Sequence, residues 1–281
     1  MKKSLNILVS YFLWQLNEII KGMKYLNISF AGAGRVADTL CRKMYRSGHR
    51  ILQIASTDEA KANELVHLCD AEWSSELVFD KTADVLFVAV PDNKLEKVLG
   101  DIRCNEKTIV AHTAGSYGLG VFPERIRKRA VFYPLQTFTK GRELDFKDLP
   151  VMIEASGEDV KKKLEVLATG IGATTYFIDL EARKMLHLAA VFACNFNNYM
   201  LTAGKEITDR AGLSFDLLKP LVKETINKAF ESGPENSQTG PAVRNDSNTI
   251  EKHKDLLSFS PELQKLYSVI SQSLIAYYNK Y

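Results

Sequence analysis

The chain has 281 residues, a length that suggests two domains, and its 46% hydrophobic and 25% charged residues suit a globular protein with sizeable cores. A formal net charge of +3 is too small to argue for nucleic acid or a membrane surface, and the basic runs at 125–129 and 161–163 read as solvated faces. The four cysteines, Cys41, Cys69, Cys104 and Cys194, form no C-x-x-C and no metal-site spacing; this argues against a zinc site or disulfide framework and fits a reducing, cytoplasmic setting.

Taken in order, the chain begins with Met1-Lys2-Lys3 and an apolar stretch from Leu5 to Leu16. Asn6, Ser10 and Gln15 interrupt it, no small-residue cleavage site follows, and it is too short to span a membrane. Residues 1–22 therefore read as an extension upstream of a natural start at Met23, with a weak amphipathic helix as the alternative. From Leu26 the pattern changes to an apolar strand running into Gly32-Ala33-Gly34-Arg35-Val36-Ala37, which is G-x-G-x-x-A, and then into a helix from Arg35 to Arg46. In that arrangement Gly32 permits a tight turn, Gly34 lets a pyrophosphate approach the backbone, and Ala37 lets the helix pack on the strand. The amides of Ala33 to Ala37 at the helix start would point at the phosphates.

A second strand spans His49 to Ala55. Its tip carries Ser56 and Thr57 in place of the carboxylate that usually holds a ribose 2′-hydroxyl, so the sequence favours NADP over NAD, with Arg35 or Lys61 supplying charge. The alternative for Ser56 is a cap on the helix from Asp58 to Cys69. A short element follows at Leu77 to Asp80. Then come strands at Asp84 to Val90, Thr108 to His112, Ala130 to Tyr133, Val151 to Ala155 and Thr174 to Ile178, with helices at Asn93 to Gly100 and Glu158 to Ala168. Strands alternating with helices predict an α/β fold, a doubly wound and mostly parallel sheet. From Leu180 onward no strand is expected. Helices are read at Leu180 to Ala211, Phe215 to Glu231, Thr249 to Ser258 and Pro261 to Tyr278, around a polar stretch from Ser232 to Asn248. The predicted domains are 23–179, the doubly wound sheet, and 180–281, all-helical.

Ligands of such sheets bind at the carboxyl ends of the strands. Three strand ends are distinctive: Val90-Pro91-Asp92, His112-Thr113-Ala114-Gly115-Ser116 and Tyr133-Pro134-Leu135-Gln136-Thr137. The first two are read as cofactor contacts, with Gly115 admitting close approach and His112 bonding the ribose or moving a proton. The alternative for His112 is a buried ring bonded to a carbonyl. Ser116, Tyr133 and Gln136 are read as substrate contacts. On the helix from Leu180, the positions Lys184, His187, Val191, Asn195 and Asn198 share a stripe, and their apolar neighbours predict a buried helix. Lys184 or His187 would pass a proton, Asn195 would orient the reacting group, and Asn198 would contact substrate. In the polar stretch, Arg244 could clamp a carboxylate, with Thr239 donating beside it. Glu181 and Arg183 are read as a helix-start ion pair. No metal ligands are expected.

The runs A-G-A-G-R-V-A, V-A-V-P-D, A-H-T-A-G-S, Y-P-L-Q-T-F, R-K-M-L-H-L-A-A-V-F-A-C-N-F and Q-T-G-P-A-V-R-N-D together resemble a bacterial family with a Rossmann-like domain followed by a helical domain of unknown function, taken to be NADP oxidoreductases. More distantly the chain is similar to pyrroline-5-carboxylate reductase, the β-hydroxyacid dehydrogenases and ketopantoate reductase. The resemblance implies a nicotinamide cofactor, an active site between domains and a homodimer built on the helical domain. Lys184 matches the lysine of the hydroxyacid dehydrogenases. Leu188 stands one turn on, where those enzymes carry asparagine. The expected activity is hydride transfer between NADP and a small keto, hydroxy or imino acid. A non-catalytic NADP sensor and a deazaflavin-dependent NADP reductase are the alternatives.

Overall fold

The computed structural model describes residues 25–278; the expected extension at 1–22 lies outside the described residues. The chain forms two compact units, one through Cys194 and one from Asn195 onward. The expected division at 179/180 falls just before the helix that leaves the sheet.

In the first unit eight strands form one sheet in the order β3-β2-β1-β4-β5-β6-β7-β8. They are β1 (Asn27–Ala31), β2 (Arg50–Ala55), β3 (Glu72–Ser74), β4 (Val85–Val88), β5 (Ile109–His112), β6 (Arg129–Pro134), β7 (Pro150–Ala155) and β8 (Thr174–Phe177). All neighbours are parallel except β6 and β7, so the sheet is mostly parallel and doubly wound. Helices α1 (Arg35–Arg46), α2 (Glu59–Cys69), α3 (Asp92–Asp101), α4 (Glu158–Gly170) and α5 (Leu180–Ala190) alternate with the strands. The third strand is Glu72–Ser74; the short element expected at 77–80 contributes only a bridge from Val78 to Arg103.

Every residue of β4 and β5 is buried, as strands covered on both faces must be. Helix α1 buries Ala37, Leu40, Cys41 and Met44, an i, i+3, i+4, i+7 spacing that lays one apolar stripe on the sheet. Phe30 stacks on Phe87, which meets Phe132 edge-on, so rings from β1, β4 and β6 tie the sheet's centre together. Burying each such side chain contributes about 1.5–3 kcal/mol. Strand order reverses between β1 and β4. There the chain end of β1 lies between Ala55 and Ala89: the Gly32 amide donates to Ala55 O at 2.8 Å, and the Ala89 amide donates to Ala31 O at 2.9 Å.

After α5 the backbone passes through a π-helical turn, Val191–Phe196, into α6 (Asn197–Arg210). The second unit continues with α7 (Lys219–Ser232), a short turn of helix α8 (Pro234–Ser237), α9 (Ser247–Leu256) and α10 (Pro261–Tyr278). Its buried residues are Ala242, Ile250, Leu257, Leu263 and Ser271. Thr239, Gly240 and Pro241 form part of the wall of an apolar cavity of about 270 Å³, together with Met200, Leu266 and Leu274.

The expectation of a buried helix from Leu180 is corrected. Met185, Leu188, Phe192, Phe196 and Tyr199 are all exposed, as are Lys184, His187, Asn195 and Asn198. An all-round apolar pattern signals burial only if something covers each face, and a single chain leaves these faces uncovered. The π turn also widens the helical repeat, so the 3.6-residue stripe from Lys184 to Asn198 is not continuous.

Candidate dinucleotide and proton-transfer site

The glycine turn has one glycine required by the fold and one that the fold does not require. Gly32 has φ +108°, and a Cβ there would sit 2.3 Å from Ala89 O. Gly34 has φ −79° at the start of α1, and a Cβ there would meet only Ala89 O at 4.0 Å. Ala33 and Ala37 are buried, while Gly34 and Arg35 face solvent beside the half-buried Val36. The open helix start thus presents backbone amides and a positive dipole end at the switch point. Within the first turn α1 also carries Asp38, but its carboxylate is buried and held by Arg42 at 3.1 Å.

At the tip of β2, Ser56 donates to the Asp58 carbonyl and accepts from the Asp58 amide. The cap of α2 is Asp58, whose side chain accepts from the Lys61 amide at 3.1 Å and pairs with Lys61 Nζ at 2.7 Å. The Lys61 ammonium pulls the Asp58 carboxyl below its ordinary range, and Lys61 is raised in return. Lys61 is therefore engaged locally. Thr57, Glu59 and Lys61 are exposed here, as is Arg35 at the start of α1.

His112 is fully buried. Its Nδ1 accepts from the Ala114 amide at 3.2 Å, its Nε2 lies 3.5 Å from Gly118 O, and its ring stacks on Phe122. Burial pushes its pKa from 6.5 down to about 4. A neutral, enclosed ring shapes the loop after β5, which is the alternative that the sequence left open for His112. Thr113 joins the sheet through its amide and Val88 O.

Gly115 stands close against two side chains. A Cβ there would lie 3.0 Å from the Tyr133 ring and 3.2 Å from His187 Nδ1. Its missing side chain makes room for these two residues. Tyr133 Oη and His187 Nδ1 share a 2.8 Å hydrogen bond, and the rings meet edge-on. Burial first, and then the Asp92 carboxylate, push the Tyr133 phenol up; it stays protonated at neutral pH. Asp92, at the first turn of α3, accepts from the Ser116 hydroxyl, and Gln136 folds its side-chain carbonyl onto the Thr137 amide. Val90 is half-buried and Pro91 exposed beside Asp92.

Lys184 pairs with Glu181 at 2.9 Å on the exposed side of α5. The expected Glu181–Arg183 pair does not form. Arg183 is fully buried and reaches Glu154 on β7 at 2.8 Å, the Gly115 carbonyl at 3.2 Å and the Tyr117 carbonyl at 2.6 Å. Removing one partner of a buried pair costs about 3–5 kcal/mol. Arg183 is the residue that sequence reasoning missed; the signal was an arginine set among Ala182, Met185 and Leu186. Asn195, Asn198, Thr239 and Arg244 belong to the helical unit and are exposed there, with the Arg244 guanidinium helping to hold the Asp246 carboxyl low, after its hydrogen bonds from Thr249. Among the described residues no cluster of His, Cys, Asp or Glu could hold a metal ion, and no helix is long and apolar enough to cross a membrane.

A parallel sheet with a glycine turn at its switch point defines a protein of the Rossmann class. Residues 17–135 match a family model described as a Rossmann-like domain, and residues 149–274 match one described as a domain of unknown function (DUF2520). The crystal structure of a candidate NADP oxidoreductase from Bacteroides fragilis is 38% identical, with TM-score 0.83, covering 90% of this chain and 98% of that one. The chain belongs to the family of that protein, a Rossmann-like domain joined to a DUF2520 domain. A reductive aminase from Aspergillus terreus, in complex with NADPH and ethyl-5-oxohexanoate, is 13% identical with TM-score 0.66, covering 89% of this chain and 94% of that one. Pyrroline carboxylate reductase from Plasmodium falciparum, with NADP bound, is 12% identical with TM-score 0.55, covering 90% and 99%. These two share the fold. The search of curated proteins gave no match.

Proposed function

We propose that the protein is an NADP-dependent oxidoreductase acting on a small keto, hydroxy or imino acid. The observation that carries the reading is Gly34. Neither backbone strain nor packing asks for glycine there, so the cleared space suits a pyrophosphate resting on the start of α1. Thr57 and Arg35 are the exposed groups suited to a 2′-phosphate. The family relative from Bacteroides fragilis supports the same cofactor.

When bound, NADPH supplies a hydride equivalent to the substrate carbon. The chain's own part is the proton. Tyr133, held protonated, donates from Oη to the oxygen or nitrogen of the reduced group, and a proton on His187 Nδ1 restores the phenol. His187 is exposed and can exchange with solvent. Proton delivery of this kind contributes about 10²- to 10⁴-fold. Lys184, the other group considered for this role, is already engaged by Glu181. We also propose a homodimer through the helical unit, supported by its exposed Leu217, Leu221, Phe230 and Tyr277.

The test is a thermal-shift titration with NADPH and NADH side by side. A ligand at 100 times its dissociation constant stabilises by about 2.7 kcal/mol. NADPH should shift the melting temperature more than NADH, and no shift with either at millimolar concentration refutes the reading. The alternative sensor has one observation in its favour, since Tyr133 already occupies a His187 nitrogen. It would show as NADPH binding with no oxidation by any member of a keto- and imino-acid panel.

A further inference from the structure

The geometry points to Arg183 as the positioning residue that sets the Tyr133–His187 couple, through the loop it clamps. This rests on the proton-transfer reading above. Arg183 and His187 stand four residues apart on α5 and so share a face of the helix. The guanidinium is anchored to β7 through Glu154, and its remaining donors take the carbonyls on either side of Ser116, those of Gly115 and Tyr117. Gly115 is the residue against which both the Tyr133 ring and His187 Nδ1 rest.

A second contact fixes the same loop to the same helix. A Cβ at Gly118 would lie 3.0 Å from Leu180 Cδ2, so the first residue of α5 sits directly on the loop's far end. His112 bonds within that loop at Ala114 and Gly118, which stiffens it from beneath. The helix and the loop are thereby held at a fixed spacing, with Arg183 as the polar link between them. A planar fork with several fixed donors can satisfy two carbonyls and a carboxylate together; a lysine ammonium on a flexible stem cannot hold all three in that geometry. Arg183 touches no reacting atom in this scheme. It acts by holding Gly115 and α5 where Tyr133 and His187 meet.

The test uses the full chain and the side-chain nitrogen resonances of its histidines, with His187 assigned by comparison with H187Q. Tyr133→Phe calibrates the change in the His187 resonances when the hydrogen bond is lost. Arg183→Lys is expected to move those resonances in the same direction by at least half as much. His253, which bonds Tyr267 at 2.8 Å in the helical unit, serves as an internal control and should stay in place. NADPH affinity, read by thermal shift, should change less than about 3-fold, a span too small to move Kd by one decade. A role confined to stability would lower the melting temperature of R183K and leave the His187 resonances at their wild-type positions, and that result overturns the proposal. If R183K does not fold, Glu154→Gln keeps the shape of the anchor but removes its charge. A smaller displacement of His187 in the same direction is then expected, and none overturns it. Failure of the oxidoreductase reading appears separately, as wild-type protein that NADPH does not stabilise.

Discussion

The two glycines of the turn make opposite predictions when each is replaced by alanine. At Gly32 the new Cβ would fall 2.3 Å from Ala89 O on a backbone at φ +108°. The dihedral costs on the order of 1–3 kcal/mol, and forcing the carbonyl of Ala89 away adds about 1–3 kcal/mol. Gly32→Ala should therefore lose about 2–6 kcal/mol of stability. At Gly34 the backbone already suits an L-residue and the nearest atom is 4.0 Å away. Gly34→Ala should stay within about 0.5 kcal/mol of wild type, or gain slightly because the unfolded chain is restricted. Its effect should appear only with cofactor, as a weakening of NADPH binding by at least about tenfold, or about 1.4 kcal/mol. Urea unfolding of the apo proteins measures the first quantity and thermal shift with NADPH the second. A folded G34A protein that keeps the full NADPH shift would refute the claim that the space at Gly34 serves a phosphate.

Tyr133→Phe should lower NADPH turnover by about 10²- to 10⁴-fold while costing only about 1 kcal/mol of stability for the lost hydrogen bond; unchanged turnover would remove Tyr133 from the proton path. His112 gives a pH signature. Its folded pKa of about 4 lies below the unfolded 6.5, so between those values the unfolded chain binds more protons and stability falls as pH drops. The fall should total about 3 kcal/mol between pH 6.5 and 4 and contribute nothing above pH 6.5, and His112→Asn should abolish it in urea titrations run across that range. Light scattering on the purified chain should give twice the 31.6 kDa chain mass, and a monomer at micromolar concentration would sink the dimer proposal.

The parts of the fold that the sequence made legible are those set by local demands. The G-x-G turn could be read because Gly32 answers to its own backbone angle, and β4 because a strand buried on both faces shows as an unbroken apolar run. Strand β3 was missed because three residues with one tryptophan carry no period. The site was harder to read, since its contacts join distant segments. Gly115, Tyr133 and His187 come from β5's loop, β6 and α5, and nothing in their spacing says that the missing Cβ of one makes room for the rings of the others. The same holds for Arg183 and Glu154, 29 positions apart.

One feature of α5 was nonetheless within reach of helical geometry. Successive residues turn by about 100°, so once Arg183 is known to face inward, His187 lies only about 40° from it and Leu180 about 60° from it on the same side. Lys184 lies about 100° away, on the flank it shares with Glu181. A buried arginine therefore supports the proposed choice between the two groups that the sequence left open as proton carriers: the helix that Arg183 locks to the loop turns His187 toward Tyr133 and leaves Lys184 to a surface ion pair. Had Arg183 been the surface partner of Glu181, the same rotation would have carried His187 away from the loop, and Gly115 would have had no ring to make room for.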